Sequence, residues 1–172
     1  MRLDDDDFTL LGLPRRFALD EAALAARWRD VQSRVHPDRF ASDGAAAQRL
    51  AMQWAVRINE AHRRLKDPLA RASYLCELEG HPVQGGPPTP VPGDVLVRQM
   101  EWHEALADAS SPEEVQALDA QVRARLRAVQ AEVAADLDVR HDAAATLPRL
   151  REWMFLARLL SEVEHRLELL EG

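Results

Sequence analysis

Residues 81–93, His81-Pro82-Val83-Gln84-Gly85-Gly86-Pro87-Pro88-Thr89-Pro90-Val91-Pro92-Gly93, hold five prolines and three glycines in thirteen positions. Each proline removes a backbone donor, and each glycine raises the entropy lost on ordering, so a helix cannot run through this stretch. The chain is therefore expected to divide into residues 1–80 and 94–172, with 81–93 as a linker. On both sides alanine and leucine are abundant, β-branched runs are few and glycine is scarce, with seven in the whole chain. That composition predicts an all-α protein.

Four helices fit before the linker. Asp7 to about Leu11 is short, with Gly12 as its stop and Pro14 beyond. The second has Asp20 as N-cap, with Leu19 and Leu24 at the hydrophobic staple positions. Its apolar stripe is Leu24, Trp28, Val31 and Val35. The third runs from about Gly44 to Lys66, with Leu50, Trp54, Ile58, Ala61 and Leu65 on one face. Pro68 ends it and opens a fourth, Leu69 to Glu79, closed by Gly80.

Three more helices come after the linker. The first covers about Asp94 to Ala109. The second starts after Ser111-Pro112, with Ser111 as N-cap, and carries Val115, Leu118, Val122, Leu126, Val129, Val133 and Leu137. The stripe of the last is Leu147, Leu150, Met154, Ala157, Leu160, Val163, Leu167 and Leu170. Three-and-four spacing over this length predicts a coiled-coil-like hairpin. Pro148 predicts either a helix start capped by Thr146 or a kink.

The net charge of −7 is uneven. Residues 1–80 carry 13 basic and 13 acidic side chains, and residues 81–172 carry 9 and 16. An acidic second half argues against nucleic-acid binding. Apolar runs are far shorter than the roughly 20 residues that span a bilayer, and Met1-Arg2-Leu3-Asp4-Asp5-Asp6-Asp7 has no signal-peptide core. A cytoplasmic protein with no membrane contact is expected. The run Asp4 to Asp7 reads as a solvated N-terminus with one capping residue. Cys76 is the single cysteine, so no internal disulfide or cysteine cluster site is possible. Beside Ala72, Leu75 and Leu78 it reads as a buried, inert thiol.

The second helix and the turn after it carry the most specific signal. Arg27, Asp30 and Arg34 share an exposed face, with Arg29 to one side. His36, Pro37, Asp38 and Arg39 come next. Pro37 fixes its own φ and drives His36 from helical geometry, so the chain turns here and displays the Asp38 carboxylate. A partner arginine can take that carboxylate bidentately.

Phe8-Thr9-Leu10-Leu11-Gly12-Leu13-Pro14, the arginines of the second helix, His36-Pro37-Asp38, Ile58-Asn59-Glu60-Ala61 and Leu65-Lys66-Asp67-Pro68 together resemble a J-domain. The resemblance covers residues 7 to about 78. It implies binding to an ATP-hydrolysing DnaK-class chaperone through His36, Pro37, Asp38, Arg27, Arg29, Arg34 and Arg39. Phe40-Ala41-Ser42, Arg71-Ala72-Ser73-Tyr74-Leu75, the linker and three further helices extend the likeness over essentially the whole chain. There it is similar to the HscB-type co-chaperones of iron–sulfur cluster assembly. The family implies a J-domain plus a three-helix bundle, an HscA-type chaperone partner and an IscU-type scaffold partner. The positions matching the family's scaffold-binding patch are Leu96, Val97, Met100, Glu101, Glu104, Asp108 and Phe155. Leu96, Met100 and Phe155 fit either an exposed patch or the bundle core. The family implies no catalytic residue and no cofactor, and this sequence has no tetracysteine module, so no metal is expected.

The residues leave two other readings open. A J-domain with this C-terminal hairpin could serve a different client. A metal-dependent hydrolase would have to be built from His36, Asp38 and His62, but the chain lacks a Walker A loop and a second set of convergent carboxylates. His62, His103, His141 and His165 lack metal-ligand spacing and read as surface or satisfied histidines. Trp28, Trp54 and Tyr74 read as core; Trp102 and Trp153 fit either core or rim.

Overall fold

The computed structural model describes residues 1–172 as seven α-helices with no strand. The helices are α1 (Asp7–Leu11), α2 (Glu21–Val35), α3 (Ala45–Lys66), α4 (Pro68–Leu78), α5 (Gly93–Asp108), α6 (Pro112–Ala135) and α7 (Ala143–Glu171). No helix is long and apolar enough to cross a membrane. The chain forms two compact units, Met1–Leu75 and Cys76–Gly172. Their division falls inside α4, earlier than the boundary at residue 80 read from the prolines. Residues 81–92 carry no helix but count with the second unit, where the Val83 carbonyl accepts from Arg151 Nη2 at 3.5 Å.

In the first unit the local signals act as expected. The Asp20 carboxylate caps α2, accepting from the amides of Ala22 and Ala23. Gly12 ends α1 at φ 62°, a left-handed conformation that costs glycine nothing. Leu24, Val31 and Val35 of α2 are buried, as are Ala51, Ile58, Ala61 and Leu65 of α3. Full burial of a leucine or isoleucine contributes about 1.5–3 kcal/mol, so this hairpin is held mainly by its seam. Three expected core positions differ, and one of them, Trp54, is only half-buried. Leu50 is exposed and Ala51 takes its place, because adjacent residues point about 100° apart and the small side chain occupies the seam. Trp28 is half-buried: its indole N–H donates to Asn59 Oδ1 at 2.9 Å while its ring stacks on His62.

The acidic N-terminus is also more than a solvated run. Asp6 caps α1, its carboxylate accepting from Thr9 N. Burial pushes the Asp6 carboxyl up, but the Thr9 hydroxyl and amide and the Arg15 guanidinium outweigh it and hold it below the ordinary value. Asp7 is fully buried and faces Arg57 Nη1 at 2.7 Å and Arg64 Nε at 3.4 Å, both on α3. Its amide donates to the Tyr74 hydroxyl, so one acidic residue ties α1 to α3 and α4.

In the second unit α6 and α7 form a hairpin. Ser111 caps α6 with Pro112 in the first turn. Val115, Leu118, Val122, Val129 and Val133 are buried, and so are Leu150, Trp153, Leu156, Leu159, Leu160 and Val163 of α7. The buried face of α7 is thus rotated from the expected stripe, and Ala157 is exposed. Pro148 neither starts nor ends α7: the helix begins at Ala143 under an Asp142 cap. The N–H missing at Pro148 would have bonded the Ala144 carbonyl, and Ala144 is exposed, where water can serve it. By contrast α5 buries Val95 alone along its length. Polar contacts hold it: Arg98 lies 3.7 Å from the Glu152 carboxylate, and Arg166 Nη2 donates to the Ala109 carbonyl at 2.9 Å.

Candidate functional site

The turn after α2 is a short 3₁₀ helix, Pro37–Phe40. His36 ends α2 in an extended conformation, φ −60° and ψ 131°, as a residue before proline must. Its Nδ1 accepts from the Asp38 amide at 3.3 Å, and its carbonyl accepts from the Arg39 amide at 3.0 Å. Arg39 Nη1 donates to the Ser33 carbonyl at 3.2 Å, pinning the turn back onto α2. The backbone of Asp38 is therefore fixed while its side chain is 90% exposed. A carboxylate held this way loses little freedom when a partner guanidinium takes it.

Arg27, Arg29, Arg34 and Arg39 are all exposed. Arg34 pairs with Asp30 at 2.8 Å, one helical turn away, which moderates the positive face. Arg27, Asp30 and Arg34 also line a cleft of about 240 Å³ with Asp5, Leu11 and Gly12. His62 does not join His36 and Asp38 in a metal site. It is stacked on Trp28 at 4.5 Å, and no group of three or more His, Cys, Asp or Glu side chains is placed to hold an ion. Burial and the nearby Lys66 charge hold the His62 imidazole below its ordinary value, so it stacks as a neutral ring.

The second surface lies on α5. Leu96, Val97 and Met100 are 49%, 54% and 64% exposed, so Leu96 and Met100 are not part of the core. Glu101, Glu104 and Asp108 are exposed beside them. Phe155 of α7 is half-buried and meets the His103 ring edge-on at 5.4 Å. An apolar strip rimmed by carboxylates on a helix that buries little of itself is a surface left uncovered by its own fold. Arg98 of α5 faces the buried Glu152, which takes Arg125 bidentately at 2.6 and 2.8 Å. The Glu152 hydrogen bonds raise the Arg125 guanidinium further above its ordinary value despite partial burial.

Residues 91–164 match the family model described as the HSCB C-terminal oligomerisation domain. A co-chaperone protein HscB homolog of Bordetella avium is 46% identical over 160 residues, covering 92% of this chain and 95% of the relative. The chain belongs to the HscB co-chaperone family. The HscB homolog of Burkholderia multivorans is 46% identical over 172 residues, with 98% of each chain covered. The solved HscB chaperone of Vibrio cholerae is 34% identical, with a TM-score of 0.81 over 96% of this chain and 99% of that one. The human co-chaperone HscB has a TM-score of 0.84 at 22% identity, covering 96% and 84%, and shares the fold. The fold is thus that of the HscB chains: an N-terminal J-domain and a helical C-terminal domain.

Sequence reasoning named the tripeptide and the α5 strip, and both are presented to solvent. It read His103 as a surface or satisfied histidine, and the ring is exposed; its edge contact with Phe155 spans two helices and leaves no mark in local spacing. It missed Asp7 and Glu152, buried carboxylates whose partners lie far away in sequence. A hint existed for Glu152: it sits next to Trp153 on a helix whose apolar residues surround it.

Proposed function

We propose that this HscB-family chain is an adaptor that brings an IscU-type iron–sulfur cluster scaffold to a DnaK-class chaperone of the HscA type and stimulates that chaperone's ATPase. The iron–sulfur cluster is cargo on the scaffold, and this chain contributes no catalytic residue, cofactor or metal of its own. It works in the cytoplasm, without nucleic acid or membrane.

The observation that carries the reading is the Asp38 carboxylate, exposed on a turn whose backbone is fixed from both sides. In this scheme Asp38 accepts a partner arginine, while His36 and Pro37 hold the turn. Arg27, Arg29, Arg34 and Arg39 steer the acidic face of the chaperone into place. At the other end Leu96, Val97, Met100 and Phe155 form the apolar contact with the scaffold. Glu101, Glu104 and Asp108 set its charge complement.

The test combines capture and turnover. Immobilised full-length protein should retain the scaffold from solution, and the two together should raise steady-state ATP hydrolysis by an HscA-type chaperone more than either alone. A scaffold that is not retained would leave a J-domain protein with a different client.

A further inference from the structure

The seven residues of the proposed scaffold surface are too few for a whole interface. Stable interfaces use roughly 20–30 residues and about 800 Å² a side. A partner seated on this strip must also lie on adjoining surface. Phe155 belongs to α7, so the strip leans toward the α5–α7 side of the bundle.

On that side lies a groove of about 330 Å³ lined by His103, Leu106, Ala107, Glu162, Arg166 and Leu169. Its register on α5 continues the strip: Met100 is followed three residues on by His103, and His103 four residues on by Ala107, all along one helix face. His103 also joins the two physically. Its ring packs edge-on against Phe155 at 5.4 Å, and its Nδ1 lies 3.8 Å from the Glu162 carboxylate in the groove wall. The groove is uncovered. Leu169 on the α7 wall is 61% exposed, while Arg166 on the same wall ties it to the end of α5 by donating to the Ala109 carbonyl.

We propose that the scaffold-binding surface extends past Phe155 into this α5–α7 groove, with Leu169 and Ala107 receiving an apolar side chain of the scaffold. His103 is a positioning residue that sets the Phe155 ring where strip and groove meet. This rests on the scaffold reading above and adds a second half to its surface.

The test is calorimetric titration of an IscU-type scaffold into full-length His103→Ala, Leu169→Asp and Phe155→Ala proteins, with circular dichroism and sedimentation on each. The expected result is a five- to twentyfold weaker Kd for His103→Ala and Leu169→Asp at unchanged helicity. His103→Phe, which keeps an aromatic edge against Phe155, should restore most of the affinity. If Phe155→Ala weakens binding while His103→Ala and Leu169→Asp do not, the extension is wrong and the original strip stands. If Phe155→Ala also binds normally, the scaffold reading itself fails and takes the extension with it. A Leu169→Asp protein that changes its oligomeric state but keeps its scaffold affinity would assign the groove to a second copy of this chain, and would overturn the proposal.

Discussion

Truncating Met100 to alanine tests whether the α5 strip is an interface. The substitution removes three heavy atoms beyond Cβ, worth about 2.4 kcal/mol if all moved from water into a dry contact at roughly 0.8 kcal/mol each. Met100 is 64% exposed in the free protein, so about that share remains for a partner to cover. The expected loss is about 1.5 kcal/mol, about a tenfold rise in Kd. The corresponding losses are about 1.2 kcal/mol for Leu96→Ala and about 0.9 for Val97→Ala, since these side chains are 49% and 54% exposed and leucine loses three carbons where valine loses two. Isothermal titration of the scaffold into each variant should return that order. Because the side chains are exposed, folding stability should move by less than about 0.5 kcal/mol, a margin typical of surface changes. Unchanged scaffold affinity in Met100→Ala, with helicity intact, would refute the argument from exposed area. A large loss of helicity would show that the strip is core after all.

Asp7→Ala should destabilise the J-domain by about 1–3 kcal/mol, since it unpairs Arg57 and Arg64, whose side chains are 21% and 41% exposed and can still reach water. Urea unfolding of the full chain would read this, and a loss under about 1 kcal/mol would contradict the buried pairing. Cys76 is fully buried, and burial first, then the Asp136 and Glu79 charges, push its thiol up to about 11. It should resist thiol reagents at neutral pH until the protein unfolds. Its raised value also sets a sign: the thiol's contribution to stability is present below pH 9.0, the ordinary value, and is lost as pH climbs to about 11. A Cys76→Ala protein should therefore lose less stability than the parent across that window, measured by denaturant unfolding at each pH; equal losses would contradict it.

Capping and turn chemistry are local, which is why Asp20, Ser111 and Gly12 could be read from the sequence and match the helix ends. The tripeptide turn was legible for the same reason: Pro37 dictates the backbone of His36 whatever surrounds it. The core faces were harder. In α7, leucines at 150, 156, 159, 160, 167, 169 and 170 allow two stripes to be drawn, and the side facing α6 decides between them. In α3 a stripe picked by size favours Leu50, whereas the seam takes Ala51. Pro148 reads as a boundary because proline usually is one, but Asp142 supplies a cap six residues earlier. At the candidate sites, sequence placed Asp38 and Met100 but could not say how exposed either would be. That depends on how little of α5 its neighbours cover, and on the Arg39 bond that folds the turn against α2.

In the proposed function a displayed Asp38 carboxylate switches on a chaperone. The most direct measurement is steady-state ATP hydrolysis by an HscA-type chaperone with the parent protein and with Asp38→Asn. Asparagine keeps the shape and removes the charge, and a side chain 90% exposed bears little on the fold. Clear stimulation by the parent and none by Asp38→Asn is expected, at unchanged circular dichroism and unchanged scaffold affinity. Stimulation retained by Asp38→Asn would contradict it.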